Sequence, residues 1–293
     1  MKSDPLRWTR DFLGRKCPCG SGNIADTCCW RGDGCWEKTA VGRIDIRRKT
    51  TIANPSCYLS SMYNCSTKMT REHFVSRNIL QKITKDKLTV ENAAHFFGGK
   101  NRIEIGIDAF TAKVLCDNHN PALSPLDTAA GTAFQRIEEL SEDLERVGRG
   151  YKLNSFHVAS GIDMERWMIK VFCGLVAAGK IRSASGRVVK STSLPHELLE
   201  TLMGYILLEP PLGLYIHNFV GQIKKLGLRF GTVWLTDGSD EVGGLMLSLG
   251  VMDLVLVTSE RYGQAFIEPS WYRHPTLAYD IKQNGARIRF LFT

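Results

Sequence analysis

The sequence predicts an α+β protein in which a cysteine-rich half precedes a group of helices and then a mostly antiparallel sheet. Eight of the nine cysteines lie before residue 117. Apolar residues recur at helical spacing in three stretches between residues 132 and 208, and short alternating runs follow Pro211. Helices followed by consecutive strands are typical of an α+β domain.

The composition indicates a soluble globular protein. Of 293 residues, 43% are hydrophobic and 23% are charged. The N-terminal "MKSDPLRWTRDF" lacks the apolar run of a signal peptide, and the longest apolar stretches are too short or too interrupted to span a bilayer. We therefore expect a cytoplasmic protein without a membrane partner. In that reducing compartment, clustered cysteines favour metal ligation over disulfides.

The positive charge is concentrated in the first half of the chain. Residues 1–130 hold 20 Lys and Arg against 13 Asp and Glu, a net charge of +7, whereas the remainder has a net charge of +1. This asymmetry predicts that the first half binds a polyanion.

Residues 1–42 form the first predicted unit, and its central stretch is "RKCPCGSGNIADTCC". Cys17, Cys19, Cys28 and Cys29 have the spacing of a four-thiolate zinc site, because the intervening Pro and Gly residues permit tight turns. With few apolar residues nearby, the metal would supply most of the folding free energy. Cys35 lies just outside the set, and we expect it to be a spare buried thiol.

The pattern "CPCGSG" followed by a Cys-Cys pair resembles the SEC-C zinc motif. The resemblance covers about thirteen residues and implies that all four cysteines bind one zinc ion. It also implies a protein partner that docks on this zinc knuckle.

Residues 43–130 form the second predicted unit. It begins with a basic link, "RIDIRRKTTI", that has strand-like alternation at Ile44 and Ile46, and residues 51–127 read as short strands and loops. A second candidate zinc set lies within this unit. Its members are Cys57, Cys65, Cys116 and His119. The last two have the short spacing that closes a metal knuckle at the start of a helix.

The stretches "REHFVSR" and "LCDNHN" resemble the HNH, or ββα-metal, endonuclease family over roughly residues 55–127. The resemblance implies a zinc-stapled hairpin and helix, with His73 as the general base that activates water. It assigns Glu72 and Asn120 to a catalytic magnesium or manganese ion and the second Cys/His set to a structural zinc ion. The residue that orients the base stays open among Thr111, Asp108 and Asn101.

The implied chemistry suits these residue types. Phosphodiester hydrolysis needs a base of near-neutral pKa, which imidazole supplies, and a cation that oxygen ligands can hold. Around the base, the expected phosphate contacts are Lys68, Arg71, Arg77 and Arg102. The resemblance therefore implies a metal-dependent endonuclease with DNA as the expected partner and RNA as the alternative. The alternative is a non-catalytic zinc scaffold that only organises a surface for protein or nucleic acid.

Residues 131–293 form the third predicted unit, an α+β domain whose boundary with the second we place within residues 128–160. Its first helical stripe comprises Phe134, Ile137, Leu140, Leu144 and Val147. The second comprises Met164, Trp167, Met168, Val171, Phe172 and Leu175, with Glu165, Arg166 and Lys170 on the opposite face. A shorter helix is expected after Pro195, and strands are expected in "LGLYIHNF", "LRFGTVWLT", "LMLSLGVMDLVLVT" and "ARIRFLF". This unit could cover the second one, form a homo-oligomer or recognise a ligand.

Overall fold

The computed structural model describes most of the chain. The described residues are 7–32, 34–91, 96, 100, 102–183, 186–189, 194–217, 228–234, 242–249, 252–260, 272–273, 278–283 and 285–293. They form a mixed α+β fold in which antiparallel strand pairs predominate.

Four α-helices are present in this described part of the chain. They are α1 (Arg77–Ile83), α2 (His119–Gly148), α3 (Gly161–Ala177) and α4 (His196–Met203). The three predicted helices are confirmed as α2, α3 and α4, although α2 begins thirteen residues before the stretch in which its apolar stripe was recognised. Helix α1 was missed, because its seven residues are too few to display a helical period and lie in a region read as strands and loops.

Fourteen strands are present among the described residues. The first seven are β1 (Trp30–Gly32), β2 (Cys35–Trp36), β3 (Met69–His73), β4 (Lys87–Glu91), β5 (Arg102–Gly106), β6 (Thr111–Cys116) and β7 (Asn154–Ala159). The others are β8 (Gly213–His217), β9 (Leu228–Trp234), β10 (Val242–Leu249), β11 (Met252–Val257), β12 (Tyr272–Arg273), β13 (Ala278–Gln283) and β14 (Ala286–Phe292).

The largest sheet has seven strands in the order β12-β8-β11-β10-β9-β4-β5. Its pairings are antiparallel except that between β4 and β9, which is parallel. A second sheet has the order β13-β14-β7, with β7 parallel to β14. Strands from the predicted second and third units thus lie in one sheet, and residue 130 falls inside α2. The two units share one hydrophobic core.

Helix α3 lies at the centre of that core and contacts α2, α4 and the large sheet. It starts at a capping residue, Ser160, whose Oγ accepts a hydrogen bond from the backbone N–H of Asp163 at 3.1 Å. The face opposite its apolar stripe is buried as well: Glu165 is 1% exposed, Arg166 2% and Lys170 3%. Buried charges of this kind need partners inside the protein.

Those partners tie distant segments to α3. The Glu165 carboxylate accepts a hydrogen bond from the backbone N–H of Leu214 at 2.8 Å. The Arg166 guanidinium donates to the carbonyl oxygens of Leu202, Val41 and Gly42. The residues just before the basic link are therefore held against the third unit.

The basic link itself forms no strand. Ile44 and Ile46 are both buried, and the Ile44 N–H donates to the Met203 carbonyl oxygen at 2.9 Å. The alternation read from the sequence thus reflects burial of one side of an extended segment that has no strand partner. In the described part of the chain, no helix combines the length and the apolar character that crossing a membrane requires.

Candidate functional site

The first cysteine set comes together in the structure as one compact cluster. The Sγ atoms of Cys17, Cys19, Cys28 and Cys29 all lie within 4.8 Å of one another. A tight turn brings the first two close, since the Cys17 N–H donates to the Asn23 carbonyl oxygen at 2.7 Å and Gly20 adopts a φ of +77°. Three of the four thiols are buried. This cluster is able to hold a zinc ion.

The protonation of these thiols also suits a cation. Hydrogen bonding with Cys17 holds the pKa of Cys19 far below its ordinary value, whereas contacts with Cys17 and Cys19 raise the pKa of Cys29 far above it. The bond with Cys19 raises the pKa of Cys17 to about 11. Without a metal Cys17 and Cys29 therefore retain their protons, and a divalent cation would allow all four sulfurs to bind as thiolates.

The apolar side of this knuckle is covered by the chain itself. The ring of Trp36 packs edge-on against Phe156 of β7 with centroids 4.9 Å apart, and Phe12 lies 5.7 Å from the same ring. The Val158 N–H donates to the Pro18 carbonyl oxygen at 3.3 Å. The aromatic surface therefore packs inside the molecule. Cys35 is exposed, so the expectation that it is buried was wrong.

The second set also comes together, at the junction of β6 and α2. His119 Nδ1 lies 3.5 Å from the Sγ of Cys57, 3.6 Å from that of Cys65 and 3.2 Å from that of Cys116. All four residues are buried, and their ligand atoms lie within 4.8 Å of one another. The cluster is able to hold a zinc ion. Because four protein ligands leave no open position, such a site would be structural.

Burial favours the metal-binding form of the histidine in this cluster but opposes that of the thiols. It lowers the pKa of His119 to about 4, so the imidazole is neutral at neutral pH and offers a lone pair. Burial also raises the pKa values of Cys57 and Cys65. For Cys116 burial acts in the same direction, but hydrogen bonds from the backbone N–H groups of Ser66, His119 and Asn118 outweigh it and lower the pKa.

The pair Glu72 and His73 lies at the end of β3, which forms an antiparallel hairpin with β6. Successive residues of a strand point to opposite faces, so the two side chains enter different surroundings. Glu72 is 7% exposed and faces the core, and His73 is half-buried.

The Glu72 carboxylate is engaged in a buried ionic cluster, which we call the Lys170 cluster. Its members are Glu72, Ser76, Asp127, Trp167 and Lys170. The Lys170 ammonium forms an ion pair with Glu72 and lies 2.7 and 2.8 Å from the two carboxylate oxygens of Asp127. Ser76 Oγ donates to Asp127 and accepts from Trp167 Nε1 at 2.7 Å. The cluster joins β3, the helices α2 and α3, and the capping residue of α1.

Charges in the Lys170 cluster stabilise one another. Burial alone would lower the pKa of Lys170, but attraction by Glu72 and Asp127 outweighs it and raises the pKa, so the ammonium stays charged. Burial raises the pKa of Glu72, and the ammonium opposes that shift. A positive charge already occupies the position beside the Glu72 carboxylate.

Asn120 is also engaged by protein. Its Nδ2 donates to Thr70 Oγ1 at 3.0 Å and to the Arg71 carbonyl oxygen at 3.2 Å, which pins the start of α2 to β3. Glu72, one of the two residues that the family resemblance assigns to magnesium or manganese, therefore does not fit that ion as it is arranged, because its carboxylate already has the Lys170 ammonium as a partner. The Asn120 bonds use Nδ2 and orient the amide, whose Oδ1 is the atom that could bind a cation.

The imidazole of His73 has one nitrogen that no described residue hydrogen-bonds. Its Nε2 is buried and has no hydrogen-bond partner among the described residues. Burial lowers the pKa of His73, and the nearby Arg77 guanidinium lowers it further, so the ring is neutral at neutral pH. A neutral imidazole with an unpaired nitrogen has the chemical form that a general base needs.

The surroundings of His73 are linked by hydrogen bonds. Thr111 lies opposite His73 across the hairpin; it accepts a hydrogen bond from Arg71 Nη1 at 3.3 Å and donates to the Asp108 carbonyl oxygen at 3.0 Å. The Asp108 carboxylate pairs with Arg77 at 3.2 Å. Neither Thr111 nor Asp108 hydrogen-bonds to His73 Nε2, and Asn101 lies outside the described residues.

The four predicted phosphate contacts are all exposed, but the structure brings only three of them near β3. Lys68 precedes this strand, Arg71 lies in it and Arg77 starts α1. Arg102 lies instead on β5, the edge strand of the large sheet, where its backbone is in register with Glu91 of β4.

The sequence reasoning missed Ser76, Asp127 and Lys170. A signal for Lys170 was present, since it is a charged residue within the apolar run "WMIKVFCGLV". Asp127 lies seven residues after Asn120, two helical turns along the same face. No local pattern identifies Glu72 as their partner.

Comparisons with protein families, with curated proteins and with solved structures found no match for this chain. The resemblances to the SEC-C motif and to HNH endonucleases therefore rest on the quoted motifs alone.

Proposed function

We propose that this protein hydrolyses phosphodiester bonds in nucleic acid, with DNA as the substrate and His73 as the general base of an HNH-type site. The observation that carries the proposal is the state of His73. Its imidazole is neutral and its Nε2 has no partner among the described residues. It sits on a hairpin joined to α2 by a four-ligand Cys/His cluster.

In the proposed reaction, His73 Nε2 takes a proton from a water molecule as its oxygen attacks phosphorus. The bond between phosphorus and the leaving oxygen breaks, and that oxygen takes a proton from solvent. Arg71 and Arg77 supply positive charge for the phosphate. The four-cysteine cluster and the Cys/His cluster would each hold a zinc ion that stabilises the fold.

The family resemblance also implies a catalytic magnesium or manganese ion, which would stabilise charge on the phosphate. Glu72 does not fit that ion in its present ion pair with Lys170, and Asn120 Oδ1 would be the remaining ligand atom of the assigned pair. No step of the proposed reaction depends on it.

The test is nicking of supercoiled plasmid by zinc-loaded protein, with and without added magnesium or manganese. His73→Ala should reduce the cleavage rate by about 10²–10⁴-fold, the usual cost of losing a general base. The matched control is His196→Ala, because His196 is an exposed histidine on α4. Full activity of a folded, zinc-loaded His73→Ala protein would disprove the assignment.

The second candidate function is a non-catalytic zinc scaffold that binds nucleic acid or protein. The pairing of Glu72 with the buried Lys170 favours it, since a carboxylate held by an internal ammonium has a structural role. The same assay separates the two candidates: a scaffold would bind the plasmid without nicking it under any metal condition.

A further inference from the structure

One short segment holds three basic residues by their backbones. This segment, residues 117–120, comprises the turn between β6 and α2 and the first two residues of α2. The Asp117 N–H donates to the Lys68 carbonyl oxygen at 2.9 Å. Asn120 Nδ2 donates to the Arg71 carbonyl oxygen at 3.2 Å. Arg48 is held by Asn118, so Arg48, Lys68 and Arg71 all lie beside the second Cys/His cluster.

Asn118 forms two hydrogen bonds with the backbone of Arg48, and we call this pair of bonds the clamp. Asn118 is 5% exposed. Its Nδ2 donates to the Arg48 carbonyl oxygen at 2.8 Å, its Oδ1 accepts from the Arg48 N–H at 3.4 Å, and Nδ2 also donates to the Asn64 carbonyl oxygen at 2.6 Å. Because backbone atoms make these bonds, the Arg48 side chain remains free for a partner.

The side chains around this segment carry an excess of positive charge. The exposed basic residues are Arg47, Arg48, Lys49, Lys68, Arg71 and Lys113. Lys113 lies on β6 beside the bulge opposite Arg71. The acidic neighbours are Asp45, which pairs with Lys49, and the half-buried Asp117. Of the six basic residues, only Lys49 has an ion-pair partner within the described part of the chain.

One end of this group of basic residues, Arg71, lies close to His73. Arg71 Nη1 reaches Thr111, the residue opposite His73. From Lys68 to His73 an extended chain covers about 17 Å. In duplex DNA that length corresponds to about five phosphates of one strand.

We propose that Arg47, Arg48, Lys68, Arg71 and Lys113 form a binding track for the phosphates of a nucleic-acid strand and deliver that strand to His73. The track rests on the proposed function for its partner, but binding is measurable without cleavage. Arg48, clamped by Asn118, extends the track beyond the residues of the hairpin.

The test uses the full-length, zinc-loaded chain carrying His73→Ala, with binding to a fluorescein-labelled 20-base-pair DNA measured by anisotropy. The test variant adds Arg48→Gln, Lys68→Gln and Arg71→Gln. The matched control adds Arg149→Gln, Lys282→Gln and Arg287→Gln, which removes the same charge from exposed positions elsewhere. Zinc content and thermal melting verify that each variant is folded.

The test variant should bind at least tenfold more weakly than its parent at 100 mM salt. Its log–log salt slope should be smaller by about three, one for each lost phosphate contact. The control should bind like the parent. Equal weakening of both variants would show that only net charge matters and would overturn the track, as would failure of the parent to bind this DNA.

Cleavage by the wild-type chain is scored separately. If that chain nicks plasmid while the test variant binds as its parent does, the track fails and the proposed function stands. If nothing is cleaved but the test variant alone loses binding, the track stands and the hydrolase proposal fails.

Discussion

Replacement of Lys170 by methionine should be among the most destabilising single changes in this protein. The substitution keeps the length and apolar stem of the side chain and removes only the ammonium. It leaves two carboxylates, those of Glu72 and Asp127, without the cation that both contact. The side chain of Glu72 is 9% exposed, so water cannot replace its lost partner, whereas that of Asp127 is 26% exposed and is partly hydrated.

The expected loss is about 3–5 kcal/mol, the usual cost of removing one member of a buried ion pair. For a chain of this size that loss corresponds to a fall in melting temperature of roughly 6–10 °C. Lys82→Met is the matched control, because Lys82 lies 3.9 Å from Glu138 and is 35% exposed. It should cost no more than about 1 kcal/mol.

The pH dependence gives an independent check. Burial raises the folded-state pKa of Glu72, and removal of the ammonium that opposes this shift should raise it further. A carboxyl whose folded pKa is raised favours folding at low pH, and that contribution is lost as the pH rises through the folded pKa. The loss of unfolding free energy caused by Lys170→Met should therefore be larger at pH 8 than at pH 5.5.

The assay is urea unfolding followed by tryptophan fluorescence, to which Trp167 of the Lys170 cluster contributes. The double variant Glu72→Gln/Lys170→Met should be more stable than Lys170→Met alone, since one unpaired charge has gone. A deficit below about 1 kcal/mol for Lys170→Met would refute the reasoning. So would stabilisation of the wild-type protein by manganese that disappears in Glu72→Gln, because the carboxylate would then bind a metal and not the ammonium.

Three further predictions concern the metal clusters, the base and the clamp. Elemental analysis should find two zinc ions per chain, and a count below two in the wild type would contradict this. Cys116→Ala should lose one zinc ion and melt at a lower temperature, because the second cluster loses a ligand. The cleavage rate should stay constant from pH 8 down to about 6.5 and decline only below it, because burial and Arg77 lower the pKa of His73; a decline that begins well above pH 7 would argue against this base. Asn118→Ala should weaken DNA binding while retaining zinc and every charge, since it releases the backbone of Arg48 and the Asn64 carbonyl oxygen without removing a basic residue. Unchanged binding would show that the clamp does not matter.

Several features of this protein follow from the sequence because neighbouring residues encode them. Both metal clusters were predicted from cysteine and histidine spacing, and the structure brings each set together. The apolar stripe of α3 and the strands β9, β10, β11 and β14 were also predicted, because a period of 3.6 or 2 is a property of consecutive residues. Such patterns depend on local backbone geometry, which short segments determine by themselves.

Tertiary structure alone decided what those segments contact. The sequence pattern distinguishes an apolar stripe on α3 from its polar side, but it contains no information on whether the polar side meets water or protein. Here Lys170 meets Glu72, which lies 98 positions earlier in the chain. The parallel pairings of β4 with β9 and of β7 with β14 likewise join strands more than 100 residues apart. A buried charge selects its partner only when the chain closes around both, because removal from water makes the pairing necessary and the fold determines which opposite charge is within reach.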